Sequence, residues 1–256
     1  MNLKQTIIPL LSILLFSQCI NENAEVKYAA AKAGDRPKGE IAWFPLNGNL
    51  NDSTGNQTMI SVAGNVKYTN GLNAEMDKAI SLDGIDNYIV ITPGYLDTIA
   101  ILFWIKTPNG IINPNKPVVF DYGFNSTSAT LIDGTTGATT LTLQSGGKAV
   151  SSADMGDENY LSTSTSYCLF YFATGGNTTS FSYKGYLSDG TPRVLNNQYV
   201  FPNMVDPLTD MIYIGRSSQK DEISNSFFKG SIDEIHVFNR FLTDTELSYY
   251  LNIQPK

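Results

Sequence analysis

Short apolar runs separated by Gly, Asn, Asp and Pro fill the chain beyond residue 40. The runs are short and rich in β-branched and aromatic side chains, as strands are, and no amphipathic helical pattern precedes Thr243. We therefore predict roughly ten to fourteen strands in an all-β, two-sheet antiparallel β-sandwich. The clearest runs are residues 41–46, 79–82, 88–91, 99–106, 118–122, 139–143, 167–173, 180–187, 211–215 and 230–240.

The last run contains an acidic residue among apolar ones. Because strand side chains alternate between faces, simple alternation places Asp233 on the face of Ile235 and Val237. A carboxylate at the edge of an apolar core is unfavourable unless hydrogen bonds or a cation compensate its charge. The sequence therefore predicts that Asp233 has such partners.

A short C-terminal helix is predicted directly after this strand. Thr243 and Glu246 have the spacing of a capping box, in which each side chain bonds a free backbone N–H of the first turn. Leu247, Tyr250 and Leu251 follow at the spacing of one helical face.

The N-terminus has the pattern of an export signal. Lys4 is followed by an apolar run over residues 7–16 and then by Cys19, so we predict a signal peptide over residues 1–18. Residues 15–19 resemble the lipidation motif of bacterial lipoproteins, which implies lipidation at Cys19; ordinary signal cleavage nearby is the alternative. Residues 19–39 are poor in bulky apolar side chains and are predicted to be a flexible tether before a single domain at 40–256. We expect an exported protein, attached to the outer membrane or cell surface only through its lipid.

Composition excludes some functions. The net charge is −7 and no basic stripe is present, which disfavours nucleic acid as a partner. Cys168 is the other cysteine, and its apolar surroundings predict a small core residue.

Several segments together resemble a known family. Residues 43–49, 51–56, 79–84, 86–89, 103–106 and 230–247 look like the motifs of a concanavalin A-like lectin/glucanase domain of the laminin G-like jelly-roll type. The resemblance covers nearly all of residues 40–251 and implies two curved sheets whose first and last strands are adjacent. It also implies a carbohydrate ligand. The chain departs from the family pattern at Asn47, where Asp is common, and at residues 166–168, where Trp-His-His is common.

The family resemblance also implies a structural calcium near the junction of the first and last strands. The matching oxygen donors here are Asp233, Asn47 and Asn49. Calcium takes six to eight oxygen ligands, and Asn47 supplies no charge, so the site would bind weakly. The alternative is that Asp233 accepts only hydrogen bonds, and the sequence leaves both open. Asp52, which precedes Ser-Thr-Gly, is predicted to form an Asx turn.

No catalytic pattern stands out, so we do not expect an enzyme. Glucanases of this fold resemble one another in an alternating run of Glu and Asp, since nucleophile and acid must stand about 5 Å apart on one face. This chain has no such run. His236 is its one histidine, predicted to lie at the surface or to pack across strands, and no serine lies in a Gly-X-Ser-X-Gly context.

Aromatic side chains are the predicted ligand-binding groups, since sugars bind through their C–H faces laid on flat rings. Four rings in mixed polar surroundings are the best surface candidates, namely Trp104, Tyr122, Tyr183 and Tyr186. The leading hypothesis is a non-catalytic, lectin-like domain of a cell-envelope lipoprotein that captures glycans or mediates adhesion. A protein-binding module is the second hypothesis, and a glycoside hydrolase is the third.

Overall fold

The computed structural model describes residues 36–72, 74–106, 118–122, 127–131, 139–145, 148–154, 167–175, 178–186, 192–200, 211–216 and 227–252. The predicted signal peptide, Cys19 and nearly all of the tether lie outside these residues. The described residues form fifteen strands in two antiparallel sheets and a single helix, which confirms the β-sandwich prediction.

The first sheet, called sheet A, contains the two ends of the strand sequence. Its strands are β1 Glu40–Phe44, β3 Lys67–Thr69, β4 Ala79–Asp83, β6 Thr98–Lys106, β11 Cys168–Gly175, β12 Thr178–Tyr186, β13 Pro192–Val200 and β15 Lys229–Phe238. They lie in the order β13-β12-β11-β6-β15-β4-β3, and β1 pairs with the C-terminal half of β15. Trp43 is opposite His236 and Phe44 is opposite Ile235. The predicted adjacency of the first and last strands is therefore confirmed.

The second sheet, called sheet B, contains the middle strands. These are β2 Met59–Ala63, β5 Tyr88–Thr92, β7 Val118–Tyr122, β8 Thr127–Leu131, β9 Thr139–Ser145, β10 Lys148–Asp154 and β14 Ile212–Ile214. They lie in the order β10-β9-β8-β7-β14-β5-β2.

The hydrophobic core lies between the sheets. Phe120 of sheet B packs against Phe172 of sheet A with ring centroids 4.8 Å apart, and Phe103 and Phe170 stack at 4.6 Å within sheet A. These rings are almost fully buried, as are the aliphatic side chains around them. We call the face of sheet A turned away from this core the outer face.

A β-bulge in β15 changes the face of Asp233. The register between β15 and β6 shifts between Asp233 and His236, and Glu234 has a positive φ of 48°. Ile232 and Ile235, three residues apart, both belong to the core. The alternation that placed Asp233 with Ile235 and Val237 is therefore wrong, because the extra residue turns Asp233 onto the outer face.

The helix α1, Asp244–Asn252, belongs to a compact unit separate from the body Lys38–Leu242. Thr243 donates from its N–H and its hydroxyl to Glu246 Oε2 at 2.9 and 3.0 Å, while the Glu246 N–H donates to Thr243 Oγ1 at 3.3 Å. These bonds confirm the capping box. Within the described part of the chain, no helix combines the length and the hydropathy needed to cross a bilayer.

Candidate functional site

A row of polar side chains crosses the outer face of sheet A. Lys67 on β3 is opposite Ser81 on β4, Ser81 is opposite Ser231 on β15, and Ser231 is opposite Lys106 on β6. Directly opposite residues of antiparallel strands share a face, so these four side chains lie side by side. The short serines occupy the middle of the row and the long lysines its ends.

A pocket of about 410 Å³ opens over this row. We call it the outer-face pocket. The two serines at its centre leave open space between longer side chains, which accounts for the cavity. Its polar lining residues are Thr69, Asn70, Ser81, Lys106, Lys229 and Ser231.

Tyr167 forms a rigid support beside the pocket. Its hydroxyl donates to the Asn70 carbonyl oxygen at 2.7 Å and is hydrogen-bonded to Ser231, while Lys106 Nζ lies 5.7 Å from the ring centroid. Burial, and then the negative charge of Asp233, raise the pKa of the Tyr167 hydroxyl well above its ordinary value. The hydroxyl therefore stays protonated and holds the loop after β3 against the sheet.

Asp233 lies beneath that loop and has the partners that its burial requires. Its Oδ2 accepts a hydrogen bond from the Leu72 N–H at 2.7 Å, and its Oδ1 accepts one from the Glu234 N–H at 2.8 Å. The predicted hydrogen bonding of Asp233 is confirmed. Burial raises its pKa to about 6 against the opposing effect of these two bonds, with a further increase from Glu75 and a decrease from Lys78.

Gly71 lets the loop lie this close to Asp233. A Cβ at Gly71 would stand 2.6 Å from Lys78 Cβ and 2.8 Å from Asp233 Oδ2, which is closer than carbon and these atoms can approach. The loop, the buried carboxylate and Tyr167 thus form one packed wall next to the pocket.

The three predicted calcium ligands differ in exposure. Asn47 and Asn49 are exposed, whereas Asp233 is buried. Asn49 bonds locally, donating to the Asn47 carbonyl at 3.1 Å and accepting from the Asn51 N–H at 2.9 Å. Among the described residues, no group of three or more His, Cys, Asp or Glu could hold a metal ion. Calcium takes six to eight oxygen ligands, which include amide and carbonyl oxygens, so calcium binding stays a prediction.

His236 lies in a cluster where β1 meets β15. Its ring stacks on its cross-strand partner Trp43 at 5.9 Å and 9°, and its Nδ1 is 2.6 Å from Glu40 Oε1. Glu234 Oε2 accepts from Trp43 Nε1 at 2.6 Å and lies 3.7 Å from His236 Nε2. These contacts join the first and last strands, which confirms the packing role predicted for His236.

The structure corrects two of the predicted ligand-binding rings. Trp104 and Tyr122 are each only 2% exposed, so the expectation that they lie at the surface is wrong. Tyr122 belongs to the core, and Trp104 is flanked on the outer face by Leu169 and Asp233. Tyr183 and Tyr186 belong to β12, but their side chains lie outside the described residues, so their roles stay predictions.

Sequence reasoning missed a second surface feature, on sheet B. Tyr88 lies 6.3 Å from Tyr213 and 6.2 Å from Phe227, measured between ring centroids, and Arg216 Cζ is 4.5 Å from the Tyr88 centroid. All four side chains are partly exposed. We call them the sheet B aromatic cluster. They come from three separate segments, so only strand pairing reveals the cluster.

Comparison with solved structures places this fold among known β-sandwich domains. The chain is similar to the binding domain of botulinum neurotoxin serotype D/C, with a TM-score of 0.60 and 14% identity over 84% of this chain and 52% of the toxin chain. It is also similar to domain 4 of AbnA, a GH43 extracellular arabinanase from Geobacillus stearothermophilus solved with arabinotriose, with a TM-score of 0.57 and 17% identity over 82% of this chain and 96% of that one.

A third similar structure comes from botulinum neurotoxin type C, whose cell entry is described as dependent on two ganglioside molecules. Its TM-score is 0.59 at 13% identity, over 86% of this chain and 52% of the toxin chain. The chain thus spans about half the length of these toxin chains. No protein-family model and no curated protein matches the sequence. At these identities the likeness establishes the fold.

Proposed function

We propose that this chain is a non-catalytic carbohydrate-binding domain, carried by an exported, lipid-anchored envelope protein that captures glycans. The outer-face pocket is the observation that supports this proposal. Serine and threonine hydroxyls and the Asn70 amide both donate and accept hydrogen bonds, which matches the hydroxyl groups of a sugar. A volume of about 410 Å³ also lies in the range typical of small-ligand sites.

The structural neighbours support the same proposal. The arabinanase domain was solved with arabinotriose, and the type C toxin is described as interacting with gangliosides. Arabinotriose and gangliosides both contain sugars. Because fold alone does not fix function, the pocket and not the likeness carries the argument.

A binding role fits the pocket better than hydrolysis does. Retaining and inverting glycosidases both need two carboxyl groups that flank one sugar bond. None of the described residues that line the pocket is acidic. The nearby Asp233 has both oxygens bonded to backbone N–H groups, and Glu234 accepts from the Trp43 indole.

A glycan array tests the proposal with the purified chain, with and without a calcium chelator. We expect binding to at least one glycan, and the Ser231→Val variant is expected to lose it because valine removes a hydroxyl from the middle of the pocket. Ser61→Val is the matched control, since Ser61 is an exposed strand serine of sheet B. An array on which no glycan binds, or binding that Ser231→Val leaves intact, would contradict the proposal.

A thermal melt with calcium and with chelator tests the calcium prediction. Calcium held by Asp233, Asn47 and Asn49 would raise the melting temperature of the purified chain, since a ligand that binds only the folded state stabilises it. An identical melt with calcium and with chelator would remove calcium from the proposal.

The lipid anchor has its own test. Metabolic labelling with a radioactive fatty acid is expected to label the wild-type chain and not the Cys19→Ser variant, and the label should fractionate with membranes. Equal labelling of the two chains would refute lipidation at Cys19.

Protein binding is the second candidate function, and the sheet B aromatic cluster favours it. Tyrosine and arginine are enriched at the energetically important centres of protein interfaces. A similar toxin binding domain was solved in complex with rat synaptotagmin II. If the array is blank, a cross-linking experiment that compares the wild type with Tyr213→Ala would show whether this cluster contacts a protein in the native envelope.

A further inference from the structure

Two lysines, Lys106 and Lys229, line the outer-face pocket, and Lys67 lies further along the polar row. Lys67 and Lys106 stand at the two ends of the polar row, and Lys229 lies two residues before Ser231 on the same face of β15. Across antiparallel strands spaced about 4.8 Å apart, the row of four side chains spans roughly 14 Å. The row is thus wide enough for more than one sugar ring.

Within the described residues, no carboxylate lies within salt-bridge distance of Lys67, Lys106 or Lys229. In a chain of net charge −7, two lysines that line one cavity and have no counter-ion among the described residues point to a ligand that supplies the negative charge.

On the described strands β4 and β15, Asp83 and Asp233 are the carboxylates next to the lining residues, and both accept backbone hydrogen bonds. Asp83 on β4 is opposite Lys229 on β15. The Oδ1 atom of Asp83 accepts hydrogen bonds from the N–H groups of Ile85 and Asp86 at 2.8 and 3.4 Å. Asp233 is covered by the loop and accepts from Leu72 and Glu234. Neither is among the residues that line the pocket, so its lining charge is positive.

We infer that the outer-face pocket binds an acidic sugar, whose carboxylate or sulfate is held by Lys106 and Lys229 while Ser81 and Ser231 hydrogen-bond the hydroxyls of the same ring. This inference rests on the proposed function. Charge-assisted hydrogen bonds are shorter and about twice as strong as neutral ones, so an anionic group would dominate the choice of ligand.

Isothermal titration calorimetry with two matched pairs of sugars tests the inference. Trigalacturonate differs from α-1,4-galactotriose by its carboxylates, and 3′-sulfolactose differs from lactose by its sulfate. We expect at least one acidic member to bind about tenfold or more tightly than its neutral counterpart, with affinity falling as salt is added. The pair that shows the difference identifies the anion as carboxylate or sulfate.

Single substitutions test which lysines hold the anionic group of the sugar. Lys106→Gln and Lys229→Gln are each expected to weaken binding of the acidic sugar about tenfold, which corresponds to about 1.4 kcal/mol. Lys38→Gln is the control, because Lys38 is exposed beside β1, near the other end of β15. Ser231→Ala checks that the same pocket is used, since it should weaken acidic sugars without removing charge.

The outcomes separate this inference from the proposed function. Equal binding of acidic and neutral members, failure of both acidic sugars to bind, or lysine variants that bind like wild type would each overturn the acidic-sugar inference. Neutral glycans that bind on the array and are lost in Ser231→Val would still support a carbohydrate-binding pocket. A blank array would overturn both.

Discussion

Asp52, in the turn after β1, and Asp233, at the bulge of β15, both accept hydrogen bonds from the backbone, yet their pKa values shift in opposite directions. Burial acts to raise the pKa of Asp52, but bonds from the Thr54 hydroxyl and from the N–H groups of Thr54, Trp43 and Thr58 outweigh it and lower the pKa. Burial also raises the pKa of Asp233, and there the two N–H bonds do not compensate.

The difference shows how a protein sets the charge of an aspartate. Asp52 is partly exposed and accepts four bonds, so its ionised form is better solvated in the fold than burial alone would allow. Asp233 is only 3% exposed and accepts two bonds. Hydrogen bonds replace the lost hydration of the Asp52 carboxylate in full, but they replace that of the Asp233 carboxylate only in part. The two regions are therefore expected to respond oppositely to pH.

The largest expected effect is the pH dependence contributed by Asp233. Its folded pKa of about 6 exceeds the ordinary value of 3.8, so the folded state holds the proton more tightly than the unfolded state. The resulting stability is fully present below pH 3.8 and is lost as pH rises through about 6. The loss is on the order of 3 kcal/mol. Urea unfolding from pH 3.5 to 7.5 should show a flatter profile for Asp233→Asn than for the wild type.

A variant of Asp52 makes the same experiment more decisive, because the pKa of Asp52 shifts in the opposite direction to that of Asp233. Its lowered pKa contributes stability that is present above the ordinary value of 3.8 and is lost as pH falls through the folded pKa. Asp52→Asn should therefore reduce the acid sensitivity and leave the slope between about pH 5 and 6 unchanged. Profiles of the two variants that change in the same direction would contradict the comparison.

The next effect concerns the loop that covers Asp233. Gly71→Ala would place a Cβ against Lys78 and Asp233, so the loop must move and weaken the Leu72 bond. We expect a loss of about 2 kcal/mol in the free energy of unfolding, as for other overpacked sites. Gly55→Ala is the control in the Asp52 turn, where a Cβ meets nothing within 4 Å but φ is +82°. It should cost about 1 kcal/mol. A smaller effect at Gly71 than at Gly55 would show that the loop is not tightly packed.

Loss of the Asp52 turn is expected to lower the free energy of unfolding slightly less than Gly71→Ala does. Asp52→Ala leaves the N–H groups of Trp43, Thr54 and Thr58 without their acceptor, and partial exposure lets water replace some of these bonds. We expect a loss of about 1.5 kcal/mol at pH 7, measured by urea unfolding. The exposed neighbour Asn51→Ala should change stability by less than about 0.5 kcal/mol. An Asp52→Ala chain as stable as the wild type would mean that water fully replaces the carboxylate.

These two regions also show which features the sequence makes predictable. The Asx turn at Asp52 is local, since the Thr54 N–H bonds a side chain two residues away at 2.9 Å, and it was predicted correctly. The strands and the capping box depend on short patterns as well, whereas the adjacency of the first and last strands is implied by the family resemblance. The face of Asp233 was predicted wrongly because a bulge depends on the pairing of β15 with β6, which alternation within one strand does not reveal.

The outer-face pocket could not be found from the sequence for a related reason. Ser81, Ser231 and Lys106 are far apart along the chain and become neighbours only through the register of β4, β15 and β6. In the sequence, the only sign of the pocket is that Ser81 and Ser231 each interrupt an apolar strand. Trp104 shows the converse difficulty, because a ring beside a lysine in sequence is buried once the outer face is assembled.

The smallest expected effect concerns Trp43, which links the two regions. Its N–H donates to Asp52 Oδ1 at 3.1 Å, and its indole Nε1–H donates to Glu234 Oε2 at 2.6 Å. Trp43→Phe keeps the first bond and removes the second, so we expect a loss of about 1 kcal/mol, limited by the partial exposure of Glu234.

A double-mutant cycle assigns that loss to one region. Trp43→Phe and Glu234→Ala should show a coupling of at least about 0.5 kcal/mol, because the first removes the donor and the second the acceptor of the same charged hydrogen bond. Trp43→Phe and Asp52→Ala should instead be additive, since the main-chain N–H of residue 43 is unchanged by the aromatic substitution. Coupling with Asp52 and not with Glu234 would mean that the indole stabilises the turn after β1 and not the bulge of β15.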